Sequence, residues 1–283
     1  MFPEALSFTI APYIDMFVNW LKVAGGPLFS AFSNIVLTVL LKIEGFLIVT
    51  PWWIWITAVI LISWWQTRRW RNSLALGLLL VTIGVLGLWT ITMKTLAIVI
   101  VSVLISILLG IPTGMAMAES NRFNSAIAPL LDAMQTMPSF VYLIPAMMLF
   151  SLGKVPAIVA TVVYALPPVV RLTNLGMRQV ASTIQESAMA FGATRWQLIR
   201  EVRVPLALPS IMTGINQTTM MALSMVVICS MIGAGGLGQK VLIATNHIAV
   251  GDGFEAGWAI VVLAIVIDRL TQGLIKKWEI SQT

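Results

Sequence analysis

The chain alternates long apolar stretches with short polar segments along most of its length. Five stretches long enough to cross a bilayer, which takes about 20 residues, occupy 95–118, 130–152, 157–175, 206–232 and 256–275. Two shorter apolar stretches precede them at 52–65 and 74–89, the first with Trp at both ends as in interfacial anchoring. The pattern predicts an all-α polytopic membrane protein with a five-span core and two additional N-terminal spans.

The first 50 residues have a different pattern, because their apolar stretches are interrupted by polar and Gly/Pro positions. Apolar side chains recur at helical spacing at Phe29, Phe32, Ile35, Val36, Val39, Leu40 and Ile43. Polar residues fall largely between them. The spacing predicts an amphipathic helix that lies in the membrane interface. A true span over 29–41 is the alternative.

Composition excludes several classes of protein. Hydrophobic residues make up 59% of the chain and charged residues only 10%, with a mean hydropathy of +0.95, which no ordinary soluble domain carries. The single Cys229 excludes a disulfide framework and a Cys-based zinc site, and His247, the one histidine, is more simply a loop residue than a metal ligand. No Lys or Arg precedes Lys22, which argues against a cleavable signal peptide.

The distribution of positive charge predicts the orientation of the spans. With the N-terminus outside and the C-terminus inside, ten basic residues fall on the inner side: Arg68, Arg69, Arg71, Arg122, Arg178, Arg195, Arg200, Arg203, Lys276 and Lys277. Five fall on the outer side: Lys22, Lys42, Lys94, Lys154 and Lys240. This bias matches the positive-inside rule. It explains the net charge of +6 without a nucleic-acid partner.

The segment 183–209 is the polar exception within the apolar core. Its charges are Glu186, Arg195, Arg200, Glu201 and Arg203. Two S/T-x-x-E/Q spacings, Thr183 with Glu186 and Thr194 with Gln197, predict two capped helices separated by Gly192 in a left-handed conformation.

On the second of these helices, Trp196, Ile199 and Val202 fall near one face, while Arg200 and Arg203 are predicted to point outward. Pro205 and Pro209 are predicted to restart the chain into the next span. By itself the pattern fits contact with lipid headgroups or with a partner protein.

The spacing of this segment resembles the EAA signature of ABC-importer permeases. Glu186-Ser187-Ala188, three residues, Gly192, nine residues and Val202-Arg203-Val204-Pro205 match Glu-Ala-Ala, Gly and Ile-x-Leu-Pro at the family's spacing. The departures, at Ser187, Val202 and Val204, are small. The resemblance implies that the two helices dock into a separate ATPase subunit, and predicts ATPase-coupling residues Glu186, Ser187, Ala188, Gly192, Trp196, Arg200 and Pro205.

Further segments are similar to the permease subunits of glycine betaine/proline transporters. They are 130–150, 164–176, 215–227 and 233–239. The resemblance implies a type I ABC importer permease core at 92–283 with its coupling loop at 182–205, an accessory hairpin at 51–91 and the interfacial region at 1–50. It also implies a bacterial inner-membrane location, a homodimer, a dimeric ATPase, an external substrate-binding protein, and lipid around the spans.

The chain has no nucleotide site of its own by sequence. Gly233, Gly235 and Gly238 match the letters of the dinucleotide fingerprint, but they follow a span and lack a βαβ context. Gly238 is followed by Gln239 rather than the Lys-Ser/Thr of a P-loop. We therefore expect a non-catalytic subunit without cofactor or metal, with ATP and Mg²⁺ bound by the partner ATPase.

The candidate translocation path or gate lies in two segments, 137–145 and 216–225. Its residues are Gln135, Met137, Pro138, Phe140, Tyr142, Tyr164, Asn216, Met221 and Met225. Phe140, Tyr142 and Tyr164 could offer aromatic faces to a quaternary ammonium, although packing is the commoner role of such residues. Pro138, Pro145, Pro167 and Pro168 could bend during gating, or could simply be tolerated in membrane helices.

The remaining polar groups in or beside the spans are expected to pair with one another more than to line the path. They are Asp132, Arg171, Asp268, Arg269, Gln135, Asn174, Asn216 and Gln217. The main rival function is an ion-coupled secondary transporter of small zwitterions, but the sequence shows no midplane carboxylates or inverted repeat. A membrane-embedded enzyme is the second rival, and no cluster of His, Cys and Asp supports it.

Overall fold

The computed structural model describes residues 9–280, with side chains described as far as residue 274. The predicted inner charges Lys276 and Lys277 and the first eight residues therefore lie outside the described side chains. Within these limits every regular element is helical. The α-helices are α1 (Ala11–Val49), α2 (Trp52–Thr67), α3 (Trp70–Val85), α4 (Trp89–Glu119), α5 (Asn121–Thr136), α6 (Leu143–Phe150), α7 (Lys154–Arg178), α8 (Ser182–Ala190), α9 (Arg195–Gln197), α10 (Val204–Ser230), α11 (Gly236–Asn246) and α12 (Val250–Ile280).

The five-span core is present, with one correction. By length and hydropathy α4, α7, α10 and α12 can each cross a membrane, but the predicted span 130–152 is broken. Its first part belongs to α5, its last part is α6, and the chain bends by 109° between them. The bend begins at Met137 and Pro138, both extended, because a residue before proline is disfavoured in the α conformation.

Helix α7 forms the centre of the core, between α4 and α10. Glycines let the helices approach closely: a methyl group on Gly114 of α4 would lie 2.6 Å from the carbonyl oxygen of Val170 on α7. A methyl group on Gly176 of α7 would lie 2.6 Å from Cβ of Ser210 on α10. Small residues at helix interfaces are the usual means of tight packing in membranes. These three helices therefore form one closely packed unit.

Hydrogen bonds between elements fall at two opposite ends of this unit. At one end Arg203 pairs with Glu119, and Arg178 donates to the carbonyl of Met117. At the other end the N–H of Gly153 donates to the carbonyl of Ile232 over 2.8 Å, and Trp258 donates to Thr82 over 3.0 Å. This grouping fits the alternating span directions predicted from charge. We call the end that contains Arg203 the coupling-loop end, and the end that contains Gly153 the opposite end.

The segment 233–255, which separates the last two predicted spans, contains a helix of its own, α11. Gly236 has a φ of +74°, and a side chain there would collide with Thr95 of α4. The N–H of Leu237 donates to Oγ1 of Thr95 over 2.8 Å, and Gly238 lies against the backbone of Val226 on α10. The glycines of this nucleotide-like motif thus serve close helix packing.

Helices α2 and α3 form the predicted N-terminal hairpin. Each has 16 residues, or about 24 Å of helix against a hydrocarbon core of about 30 Å. Ser73 of α3 donates to Ser63 of α2 over 3.1 Å, and both helices pack against α12. The hairpin thus belongs to the same packed body as the core.

Helix α1 is continuous over 39 residues, through the Gly-Gly-Pro interruption that the sequence suggested would divide it. Its specific contacts are at the opposite end of the core, where Phe29 and Phe32 meet Phe150 and Glu44 pairs with Lys154 over 2.6 Å. Its length and hydropathy are also sufficient for a span. The interfacial position and the alternative span thus both stay predictions.

Candidate functional site

The first helix of the coupling loop begins one residue before the predicted cap. Ala181 is the cap residue of α8, with φ −54° and ψ 133°, and no side chain caps the helix. Thr183 is already inside the first turn, so the predicted capping box between Thr183 and Glu186 is wrong. A different hydrogen bond holds the start of this helix: the side chain of Gln185 donates to the carbonyl of Val180 over 2.8 Å. The side chains of Glu186 and Ser187 are exposed, and Ala188 is half-buried.

Gly192 ends α8 as predicted. Its φ is +87°, and its N–H donates to the carbonyl of Met189 over 2.9 Å. The next N–H, that of Ala193, donates to the carbonyl of Ala188 over 3.1 Å. Phe191 is 94% exposed at the tip of the loop. The turn thus presents an aromatic side chain and a bare glycine to the surroundings.

The second capping box is confirmed. The hydroxyl of Thr194 accepts from the N–H of Gln197 over 3.3 Å, and the N–H of Thr194 donates to Oε1 of Gln197 over 2.9 Å. The following helix is not the separate short element that was predicted. Helix α9 continues through a π-helical segment, Leu198–Arg203, directly into α10. Pro205 and Pro209, predicted to restart the chain, therefore lie within one continuous helix and do not interrupt it.

The faces of this helix differ from the prediction at two positions, Trp196 and Arg203. Trp196 is 64% exposed and Arg200 is exposed, whereas Leu198 is buried and Ile199 packs with Met177 and Ala207. Arg203, predicted to point outward, is only 8% exposed. A π-helical segment holds one more residue per turn than an α-helix, so the residues after it are rotated away from the α-helical pattern.

The first segment of the candidate path lies at the bend between α5 and α6. Gln135, Met137, Pro138 and Phe140 are exposed there in this chain. Tyr142 is instead buried, and its ring meets that of Tyr164 edge-on with centroids 6.3 Å apart. The bend therefore exposes one group of the predicted residues and packs another.

The second segment divides in the same way. Met225 is fully buried in the hydrophobic cluster that contains Tyr142, with Tyr164 packed against it. Asn216 belongs to a different contact, donating to Oδ1 of Asp268 on α12 over 2.9 Å, and Met221 packs near Leu263 of the same helix. The structure thus brings Tyr142, Tyr164 and Met225 together and places Asn216 and Met221 against α12.

The predicted pairing of polar groups is confirmed at several positions. Asp132 pairs with Arg171 between α5 and α7. The side chain of Asn174 donates to Asn124 over 2.8 Å, and Asp268 accepts from Asn216 and from Gln272. Gln135 and Gln217 are exposed. In the part of the chain with described side chains, no group of three or more His, Cys, Asp or Glu could hold a metal ion.

Sequence reasoning missed the polar contacts that hold the coupling loop in place. Arg178 was interpreted only as a positive-inside charge, and no contact was predicted for Glu119 or Asn121. In the structure Glu119 accepts a hydrogen bond from Arg203, and Asn121 and the carbonyl of Met117 accept hydrogen bonds from Arg178. These contacts join helices that are distant in sequence. A usable signal was present, since acidic and basic residues stand at the inner ends of consecutive spans.

The structure is thus a core of helices long and apolar enough to cross a membrane, with a polar loop whose ordered helices lead directly into one of them. The chain belongs to the family of binding-protein-dependent transport system inner membrane components, whose family model matches residues 106–277.

Similar proteins extend this match to most of the chain. The glycine betaine/carnitine transport permease protein GbuB of Listeria monocytogenes is 42% identical over 97% of this chain and 98% of its own length. The glycine betaine transport system permease protein OpuAB of Bacillus subtilis is 42% identical over 94% of each chain. The glycine betaine/proline betaine permease ProW of Escherichia coli is 48% identical over 74% of this chain and 59% of its own length.

Solved structures show the same fold. A chain from an inward-facing structure of the MetNI methionine ABC transporter aligns with a TM-score of 0.60, at 21% identity, over 65% of this chain and 93% of its own length. At this identity the likeness concerns architecture alone. The core is that of a type I ABC importer permease.

Proposed function

We propose that the chain is the transmembrane permease subunit of an ATP-driven importer for a compatible solute, glycine betaine, proline betaine or a related quaternary amine. The observation that carries the substrate class is the similarity to GbuB, which covers nearly the full length of both proteins. The similar proteins OpuAB and ProW are likewise glycine betaine and glycine betaine/proline betaine permeases. The subunit itself is non-catalytic, and ATP and Mg²⁺ are bound and ATP is hydrolysed on a separate ATPase dimer.

The assembly that this function needs contains several partners. Two copies of this chain enclose the path, since one five-span core is too small to do so alone, and a substrate-binding protein delivers the solute on the outer side. The N-terminus lies outside and the C-terminus inside, which puts the coupling loop on the side of the ATPase. The exposure of Phe191 and Trp196 at the loop surface supports docking there.

The coupling loop transmits the motion of the ATPase to the spans. Helix α9 is continuous with α10, so a displacement at Trp196 is not absorbed by a flexible linker. The start of α8 is tied by Gln185 to the carbonyl of Val180, just after α7, and the bonded turn at Gly192 connects the end of α8 to α9. Because packed helices shift as bodies rather than deform smoothly, movement of the loop changes the relative position of α10 and its neighbours.

The path itself is placed at the bend between α5 and α6. Its exposed residues Met137 and Phe140 face away from the packed unit, where a second copy can complete a channel. Tyr142 and Tyr164 lie behind them. A bend of 109° at Pro138 is the irregular backbone that membrane proteins tolerate where it lines a cavity.

Uptake into proteoliposomes tests the proposed function. The permease is reconstituted with its ATPase and binding protein, and radiolabelled glycine betaine is supplied outside with ATP inside. We expect accumulation with ATP and none with a non-hydrolysable analogue, and competition by proline betaine but not by methionine. Accumulation driven by a sodium or proton gradient without the ATPase would instead establish the ion-coupled transporter and refute the proposal.

A further inference from the structure

We propose that Arg203 is a positioning residue that makes the ends of α4 and α7 move together with the coupling loop. The inference rests on the proposed function. Arg203 is the last residue of the π-helical segment that joins α9 to α10. One guanidinium nitrogen, Nη1, donates to the carboxylate of Glu119, the last residue of α4, and Nη2 donates to the carbonyl of Met177 on α7 over 3.3 Å. A single side chain therefore joins three helices.

A second arginine continues this connection. Arg178, at the end of α7, donates from Nε to Asn174, from Nη1 to Asn121 and from Nη2 to the carbonyl of Met117, over 2.8, 2.8 and 2.6 Å. Asn121 begins α5, and Met117 lies in the last turn of α4. The two arginines thus connect the ends of α4 and α7 with the start of α5 and with the helix formed by α9 and the π-helical segment.

The electrostatics of this cluster favour movement of all its parts together. The last carbonyls of a helix lack partners within the helix and carry partial negative charge, and Met117 and Met177 direct theirs at the two guanidinium groups. Arg203 is nearly enclosed, and a buried charge separated from its partner is strongly disfavoured. A displacement of α9 therefore carries Glu119 and the end of α7 with it.

The pair offers more than packing alone would provide. The hydrophobic cluster of this region packs Ile199 against Met177 of α7 and Ala207 of α10, and Ala118 of α4 packs against the same cluster. The contact with Glu119 adds the carboxylate of a residue 84 positions earlier, at the end of α4. Because α4 leads at once into α5 and the bend at Pro138, the pair links the loop to the helix that precedes the candidate path.

The first test uses the full-length permease in nanodiscs, without ATPase or solute. Trypsin cleavage after Arg195 and Arg200 is followed by mass spectrometry for the wild type and for Arg203→Gln, Glu119→Gln and the double variant. We expect cleavage on the order of ten-fold faster in each variant, because a lost charged hydrogen bond raises the open population of the loop. The double variant should equal the single ones, since all three lose the same pair.

The second test measures ATP hydrolysed per glycine betaine transported in the complete transporter. The ratio should rise at least several-fold in the same variants. Arg122→Gln, which removes an exposed arginine near the same end, is the matched control and should change neither cleavage nor ratio. If Arg203→Gln does not insert, Glu119→Gln carries the test, because its side chain is 41% exposed and leaves packing intact.

The outcomes separate this inference from the proposed function. Wild-type cleavage and a wild-type ratio in Arg203→Gln or Glu119→Gln would overturn it, and so would additive effects in the double variant. Failure of the wild-type transporter to import glycine betaine would refute the proposed function, while the cleavage test in the isolated permease would still decide whether the pair holds the loop.

Discussion

Gly192 shows how a single residue shapes the proposed docking surface. Its φ of +87° lies in the left-handed region, and a Cβ built there meets no atom within 4 Å. The constraint at this position is therefore the backbone conformation, and there is room for a side chain. A residue other than Gly pays about 1–2 kcal/mol for this conformation, and a β-branched residue is a strong outlier there.

We expect Gly192→Val to insert into the membrane normally but to recover little ATPase on purification of the complex. The strained turn would displace the end of α8 from its bonds to Met189 and Ala188. Gly192→Asn is the matched variant, since Asn tolerates positive φ, and it should assemble close to wild-type levels. Normal assembly and uptake by the Val variant would contradict a coupling role for this turn.

Residue roles were predictable where a local rule decides them and not where distant residues meet. The turn at Gly192 and the cap at Thr194 follow from spacing within a few residues. The burial of Arg203 depends on the π-helical segment before it and on Glu119, which is far away in sequence. No pattern within the loop contains that information.

At the scale of elements, the two helices of the loop are capped unequally. Helix α9 has a reciprocal box between Thr194 and Gln197, while α8 begins after Ala181 without any side-chain cap. Removal of a Thr cap costs about 1 kcal/mol. The difference gives two matched substitutions in one loop.

We expect Thr194→Ala to raise amide hydrogen exchange at 195–198 about five-fold, the equivalent of roughly 1 kcal/mol of local opening. Thr183→Ala should leave exchange in α8 unchanged, because Thr183 does not cap that helix. Exchange measured by mass spectrometry on the purified permease compares the two directly. Equal effects of both substitutions would mean that the asymmetry of capping is wrong.

The membrane-spanning helices were largely predictable from the length of the apolar stretches. The positions where a helix is broken were not. The stretch 130–152 is apolar enough to predict one span, yet the chain turns by 109° within it. Proline alone does not decide this, since α7 continues as one helix through Pro167 and Pro168. In α7 the prolines lie in the buried centre of the core, whereas Pro138 lies at an exposed position where the neighbouring helices do not hold the chain straight.

At the scale of the whole molecule, charge bias and the structure agree on which loops share a side. The coupling loop lies at the same end as Arg178 and Glu119, while α11 and the turn at Gly153 lie at the other end. This grouping follows from helix directions that the apolar stretches already implied. The helix of α11 itself was not predicted, because its packing onto Thr95 is a long-range contact.

The orientation makes a whole-molecule prediction for thiol labelling in intact cells and inverted vesicles. The one native thiol, Cys229, is 1% exposed and should not react, so the wild type gives a clean background. Phe191→Cys and Ile248→Cys introduce thiols at positions that are 94% and 84% exposed, on either side of α10. A membrane-impermeant maleimide should label Phe191→Cys only in inverted vesicles and Ile248→Cys only in intact cells.

The pair of positions makes each outcome informative, because a single long helix, the 27-residue α10, lies between them together with α9, the π-helical segment and the short α11. Labelling of both thiols from the same side would mean that α10 does not cross the membrane, against its length and hydropathy. Labelling on exchanged sides would keep the fold but place the coupling loop outside, where no ATPase could reach it. Only the predicted pattern lets Trp196 face the source of ATP while the bend at Pro138 remains connected to it through Glu119 and Arg203.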